Sequence, residues 1–443
     1  MKTMISAKLK LNTTPEQFAQ LRATQLAYRD ALNFVSKYAF ENGKMSNNRN
    51  LQKGTYDEIR SRFRLPSQMA CNVPRQVGST YRGLWTKVRK NAEHRKSGRT
   101  KKRYRGLDKA PKYVSPTLTY NYGYDYSFKR DQHVSVLTLD GRVVVSYTGY
   151  DKHIAFIKSG AEIGAAKLFY DKPKQQFYLL VALAIDTPDP DPETHTGIAG
   201  VDVGVRYLAV SSDTRGNHTF HSGKQVVARA NHYARLRKRL QKKGTRSATR
   251  RLVVISGRER RLKADANHRV SKRIVTQYPN SLIGLEYLTD IRERTPRRKR
   301  DKKGKRVGPK QRKANVTYSK WSFAELQSMI AYKALLAGSV PIKVDANYTS
   351  KACPCCGHTS EANRANNGLL FICQKCHYTL HADLVGARNV TMRTLLIRQD
   401  WVSTGTLSEC PDVADKEAKA ARLSRFAELR WSLATSSSSH DGD

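Results

Sequence analysis

Two cysteine pairs constrain this chain more than any other feature. Cys353 and Cys356 form one C-x-x-C pair, Cys373 and Cys376 a second, with sixteen residues between them. Each pair puts two thiolates on one tight turn, and two such turns close a tetrahedral four-sulfur site with Zn–S distances near ~2.3 Å. The stretch 348–380 therefore reads as a zinc ribbon holding one structural zinc ion, with Gly357 giving the first knuckle its turn. Cys355 lies inside the first pair and competes for a ligand position; the spacing favours Cys353 and Cys356. His358 and His377 are alternative ligands. Four protein thiolates leave no open coordination position, so this zinc folds the insert and is not a catalytic metal. Seven cysteines in 443 residues make no disulfide scaffold, and in an intracellular protein the paired spacing points to metal.

The charge narrows the partner. Lys and Arg number 81 against 37 Asp and Glu, a net +44 with His counted neutral. Self-repulsion on that scale is costly unless a polyanion neutralises it, and nucleic acid is the natural one. Apolar residues at 39% suffice for real cores, so wholesale disorder is not expected. No run of eighteen apolar residues occurs, so no transmembrane helix is expected. The opening MKTMISAKLKLNTT has no apolar core of signal-peptide length, so secretion is not expected either. A membrane-surface protein would need an amphipathic anchor, and none is evident. The basic stretch 292–313 holds thirteen Lys or Arg and two acids. Arg297, Arg298, Lys299 and Arg300 within it are candidate nucleic-acid contacts, against the bland alternative of a solvated loop.

Patterning divides the chain. Residues 5–12 alternate like a strand. Thr14, Pro15 and Gln17 then have the spacing of a capping box, and 15–110 reads as mostly helical. Asn72 and Pro74 read as the start of a further helix, on which Gln76 and Thr80 share a face with Arg75 and Ser79 beside them. Gln reads adenine bidentately in a major groove, although an exposed polar face is the plainer reading. Residues 116–186 alternate and are rich in Val, Tyr and Thr, an antiparallel barrel or sandwich to which 5–12 can return. Tyr120, Tyr122, Tyr124 and Tyr126 fill one sheet face or, less simply, stack bases. PDPDPE (188–193) is a linker. The remainder reads β-β-β-α-α-β-α-β with a last helix after 382, the element order of a ribonuclease-H-like α/β fold. Residues 402–443 read as a disordered tail.

Three acids sit where such a fold would use them. Asp202 lies in the first strand of that unit, Glu286 at the end of the apolar strand LIGLEYL, and Asp383 at the start of the last helix. One buried carboxylate costs several kcal/mol unless paired or metal-bound, and three that converge repel unless divalent cations bridge them. Two Mg²⁺ ions roughly 3.5–4 Å apart would suit phosphodiester hydrolysis, with Mn²⁺ as a substitute. Each acid alone is more simply a hydrogen-bonded structural residue; the three together at matching elements favour nuclease chemistry.

At these residues the chain resembles the TnpB-type transposon-encoded RNA-guided nucleases, relatives of the compact type V CRISPR effectors. The segments that carry the resemblance are GVDVGVRYLAV, GLEYL, YSKWSFAELQSMIAYKALLAG, VDANYTSKACPCCG, FICQKCHY and HADLVGARNV, in that order. The resemblance implies a multidomain α+β and α/β protein. Its wedge barrel would be 1–12 and 116–190, its helical recognition lobe 13–115, and its RuvC nuclease 196–347 and 381–401 with the zinc insert 348–380. It implies a metal-dependent DNA endonuclease with Asp202, Glu286 and Asp383 as magnesium ligands and Arg364 beside them on the scissile phosphate. It implies a guide RNA made from the transposon end, double-stranded target DNA with a short adjacent motif, one protein per RNA, and a cytoplasmic, nucleoid-associated place in a prokaryote. Arg75, Gln76, Ser79 and Thr80 would contact that motif. The last motif departs from the family's common Asp-x-Asn-Ala-Ala, since Val385 stands at the Asn position. A guide-directed repressor without cleavage and an RNA-independent transposase are the rival readings. Intact acids speak against the first, and the zinc ribbon before the third acid against the second.

Overall fold

A computed structural model describes residues 1–98, 100–115, 117–288, 322–365 and 369–431, with a few isolated residues between 308 and 315. Two units emerge, Lys2–Asp186 and Thr187–Asp443 with Met1.

The N-terminal unit opens with β1 (Lys2–Asn12), then α1 (Pro15–Glu41), α2 (Asn48–Phe63) and α3 (Ser67–Lys96). The capping box at α1 is present: the Thr14 amide donates to Gln17 Oε1 (3.0 Å) and the Gln17 amide to Thr14 Oγ1 (3.2 Å). Pro74, read as a helix start, is instead buried inside α3, which begins at Ser67 after Pro66. An interior proline costs about 3 kcal/mol. Met69, Ala70, Val73, Val77 and Tyr81 bury one stripe of the helix and offset that cost. The helical reading to residue 110 also overshoots, because 97–98 and 100–115 are irregular. The strands β2 (Leu118–Tyr120), β3 (Tyr126–Lys129), β4 (His133–Thr138), β5 (Gly141–Thr148), β6 (Glu162–Asp171) and β7 (Gln176–Asp186) follow, with α4 (Asp151–Lys158) between β5 and β6. They join β1 in one antiparallel sheet of order β2-β6-β7-β1-β5-β4-β3. The return of residues 5–12 to the later strands is as expected. Helices and sheet nevertheless share one continuous core, from Leu9 and Leu179 to Tyr28, Leu32 and Val77. The expected lobe and barrel are thus one compact unit.

The C-terminal unit holds β8 (Gly197–Asp202), β9 (Tyr207–Asp213), β10 (His218–Ser222), α5 (Lys224–Lys243), α6 (Arg246–Gln277) and β11 (Ser281–Tyr287). After these come α7 (Phe323–Leu335), β12 (Val340–Asp345), the short strands β13 (Arg364–Ala365), β14 (Leu370–Ile372) and β15 (Thr379–His381), and α8 (Ala382–Thr404). The element order is the one read from the sequence. The main sheet runs β10-β9-β8-β11-β12, antiparallel across the first three strands and parallel from β8 to β12. On one face Val201, Ile283 and Leu285 pack against Ile274 of α6 and Ile330 of α7. On the other, Leu282, Ile342 and Val344 pack against Val390 and Trp401 of α8. Helices on both faces explain why β11 is apolar along nearly its whole length.

The tail expected to be disordered from residue 402 is ordered among the described residues, up to 431; residues 432–443 lie outside them. Asp415 caps a further helix, α9 (Lys416–Glu428), through bonds from the Glu417 and Ala418 amides. No residue of α9 is fully buried. Charged and ring contacts to α8 and β12 hold it instead.

Candidate functional site

Strand pairing brings two of the three acids together. β8 and β11 are parallel neighbours in which Leu285 pairs with Val201, so Asp202 and Glu286 are the next residues on each strand. They project from the face covered by α8. Two glycines let that helix come close. Gly200 and Gly284 pair across the same strands. A Cβ on Gly200 would lie 2.3 Å from the Thr391 amide nitrogen, and one on Gly284 1.9 Å from Thr394 Oγ1. Thr391 Oγ1 anchors the contact by donating to Ser212 O (2.8 Å). Gly386, three residues after Asp383, lies against Asp202, whose Oδ2 would be 2.9 Å from a Cβ there. The first turn of α8 thus meets Asp202, and Asp383 is brought to the two strand acids.

The electrostatics follow from this convergence. Burial first, then the charges of Glu286 and Asp383, push the Asp202 carboxyl well above the usual carboxylate range; Arg364 and the Val203 backbone act against this. Burial also raises Glu286, opposed by a hydrogen bond from Thr349 Oγ1 (2.5 Å) and by the Arg393 charge. Arg364 Nη2 stands 3.6 Å from Asp383 Oδ1, both side chains partly exposed. Like charges held together in a buried place are the signature of a cation site. The carboxylates stand wider apart than the thiols: among the described residues only the four cysteines bring their ligand atoms all within 4.8 Å.

His381 is part of this site and was missed in the sequence. It caps α8, its Nδ1 accepting from the Asp383 amide (3.2 Å), which leaves the proton on Nε2. Tyr207 and Phe220 hold the ring edge-on at 5.4 and 5.0 Å. Thr349 was missed too, since a threonine in an irregular segment carries no periodic signal.

The cysteine centre is built twice over. In each knuckle the first cysteine's carbonyl accepts from the residue four on, Gly357 (2.9 Å) or His377 (3.0 Å). Its amide donates to the residue five on, His358 (2.9 Å) or Tyr378 (3.0 Å). Gly357 and His377 both have positive φ, +74° and +57°, so the second knuckle turns without glycine. The Sγ atoms of Cys353 and Cys376 lie 3.7 Å apart, those of Cys356 and Cys373 3.5 Å. A tetrahedron with Zn–S of about 2.3 Å has edges of about 3.8 Å, so the donor set fits zinc. Cys355, His358 and His377 are outside this group. Burial raises the Cys353 and Cys356 thiols, whereas backbone amides of Cys376 and Lys375 overcome burial at Cys373 and bring it to about 7.

The remaining expected residues fare unevenly. Arg75 and Ser79 are exposed on α3, but Gln76 and Thr80 turn inward. Gln76 bonds Tyr28 OH (3.1 Å) and Thr117 O (3.4 Å), and Thr80 Oγ1 accepts from Tyr113 OH (2.8 Å). Both side chains are thus half-buried and engaged within the unit. Tyr120 and Tyr126 are buried while Tyr124 is 72% exposed, because a turn between β2 and β3 breaks the alternation. Arg297, Arg298, Lys299 and Arg300 lie outside the described residues.

Two family models match the segments that carry the site. Residues 180–289, which carry Asp202 and Glu286, match the OrfB_IS605 family model, described as a probable transposase. Residues 323–390, which carry the cysteines, Arg364 and Asp383, match the Cas12f1-like TNB domain model. The resemblance drawn from the motifs is thereby borne out. Among individual proteins, the chain is similar to the CRISPR-associated endodeoxyribonuclease Cas12f1 of Sulfoacidibacillus thermotolerans, 27% identical over 260 residues, 52% of this chain and 53% of the relative. It is also similar to a TnpB-like protein of Methanocaldococcus jannaschii, 30% identical over 163 residues, 36% of this chain and 53% of the relative. The chain spans about half the length of these two curated relatives. Among solved structures, the mini-RNA-guided endonuclease CRISPR-Cas_phi3 superposes with a TM-score of 0.48 at 10% identity, over 89% of this chain and 92% of that one. No helix among the described residues is long and apolar enough to cross a membrane.

Proposed function

We propose that this protein is an RNA-guided DNA endonuclease with a ribonuclease-H-like (RuvC) centre. The observation that carries the reading is the meeting of Asp202, Glu286 and Asp383 at the ends of two parallel strands and the start of α8. Guide RNA and target DNA follow from the similarity to an endodeoxyribonuclease and a TnpB-like protein, and from the charge of +44.

The three carboxylates would hold two Mg²⁺ ions, or Mn²⁺ in their place. Such a pair supplies an activated water and charge stabilisation for both the attacking and the leaving oxygen. The chain's own residues do the rest. Glu286 is oriented by Thr349, and Asp383 by the cap at His381. Arg364, beside Asp383, would set its guanidinium on the scissile phosphate and stabilise the charge that develops there. Cys353, Cys356, Cys373 and Cys376 would hold one zinc and so close the ribbon whose short strand carries Arg364 next to the acids. The N-terminal unit would serve as wedge and recognition lobe, with Arg75 and Ser79 exposed toward nucleic acid. The deciding experiment is cleavage of a guide-matched DNA by the purified protein–RNA complex with and without Mg²⁺. Full cutting in EDTA, or cutting independent of the guide, would overturn the reading.

A further inference from the structure

The segment after α8 packs back onto the C-terminal unit. Within the C-terminal unit, Lys343 N–H donates to Glu409 O (2.8 Å), so Glu409 caps a donor on the outer edge of β12. Further on, α9 grips by charge. Arg422 Nε lies 2.9 Å from Asp345 Oδ2, and that carboxylate is only 2% exposed. Arg425 takes both oxygens of Asp400 at 2.7 and 2.9 Å. Beyond α9, Trp431 is buried: its amide donates to Pro354 O (2.7 Å) and its ring lies 4.9 Å from the Arg388 guanidinium. Gly357 of the first knuckle abuts Arg430 and Ala427 so closely that a Cβ there would meet the Ala427 carbonyl oxygen at 2.6 Å.

Phe426 connects this segment to the acids. Its ring centroid lies 4.6 Å from the guanidinium of Arg393, a buried residue of α8. Arg393 donates to the carbonyls of Asp345 and Asn347 (2.8 Å for the latter) and sets its charge toward Glu286. Those carbonyls open the turn that presents Thr349 to Glu286. An arginine fork against two carbonyls is rigid only if its plane is held, and the aromatic face supplies that.

We propose that residues 407–431 brace the acid centre, with Phe426 and Trp431 as positioning residues: Phe426 fixes Arg393 and through it Thr349 and Glu286, and Trp431 fixes the first cysteine knuckle. The inference rests on the reading of Glu286 as a metal ligand. It is tested on the full chain with its guide RNA. Phe426→Ala should raise the Mg²⁺ concentration for half-maximal cleavage about tenfold, the usual cost of disturbing a ligand's support. It should also speed amide hydrogen exchange in 345–352 and leave guide RNA affinity within about twofold. Phe426→Tyr, which keeps the ring, should restore the Mg²⁺ midpoint and the exchange rate. Trp431→Ala should speed exchange in 353–357. If Phe426→Ala does not fold, Phe426→Leu, which keeps bulk and loses the π face, carries the same comparison. Unchanged exchange together with an unchanged Mg²⁺ midpoint would overturn the brace. Should the nuclease reading itself fail, no Mg²⁺ midpoint exists for the wild type, and the exchange measurement still decides whether the segment braces the turn.

Discussion

Asp202 and Glu286 are the residues whose environment is hardest to explain without a bound cation. Burial pushes both carboxyls up, and each is a charge facing others of its own sign. Removing one acid should relieve repulsion rather than unfold the chain. Asp202→Ala is therefore expected to abolish Mg²⁺-dependent cutting while RNA and DNA binding persist and the urea midpoint does not fall. Retained cleavage would remove Asp202 from the site. Thr349→Val tests the support of Glu286: it keeps the shape and deletes the 2.5 Å hydrogen bond, and cleavage should drop about 10- to 100-fold. At the cysteine centre, Cys373→Ser should lose zinc and weaken cutting more than guide binding. Zinc analysis settles it, since a full equivalent in the variant would strike Cys373 from the ligand set.

At the scale of elements, the contact of α8 with β8 and β11 decides whether the acids meet. Alanine in place of a strand glycine ordinarily gains about 0.5–1 kcal/mol in chain entropy. At Gly200 the new methyl would strike helix backbone 2.3 Å away, and overpacking of that kind costs about 1–3 kcal/mol. The clash outweighs the entropy gain, so Gly200→Ala should lower stability in urea and reduce cleavage, as α8 lifts from the sheet. Gly284 faces Thr394 Oγ1 at 1.9 Å, with Thr394 Cβ and Val390 Cγ1 at 3.1 Å; side chains give way more readily than helix backbone, so Gly284→Ala should be milder. Equal effects at the two sites would mean that helix backbone is not the obstacle. This glycine pair was visible in GVDVG and GLEYL as motif letters, but its reason was not. Only the register, with Gly284 opposite Gly200, shows that both serve one helix.

For the molecule as a whole, the charge of +44 makes salt the informative variable. Each Lys or Arg on a phosphate releases a counterion, with a slope of about −0.7 to −0.9 per contact. Replacing Arg297, Arg298, Lys299 and Arg300 by Ala should make the salt dependence of RNA or DNA binding shallower and leave the adjacent DNA motif unchanged, because phosphate contacts carry no sequence. An identical slope for both ligands would make the stretch a solvated bystander. Gln76 and Thr80 illustrate the opposite case. Their i+4 spacing was plain in the sequence, yet spacing alone names a face without saying which way it turns. Tyr28 and Tyr113, distant along the chain, turn it inward.

Local chemistry was enough for whatever depends on neighbours in sequence. The capping box at Thr14 and Gln17, the knuckles at Cys353 and Cys373, the apolar run of β11 and the order of elements around it are short-range facts of spacing and hydrophobicity. Folding decided whatever depends on which distant groups meet. Pro74 lies within a helix because the buried stripe outweighs one lost hydrogen bond. Cys355 is excluded from the thiol cluster by where the second knuckle arrives. Arg422, Arg425 and Phe426 of α9 are ordered by Asp345, Asp400 and Arg393, partners far back along the chain whose attraction no local pattern encodes.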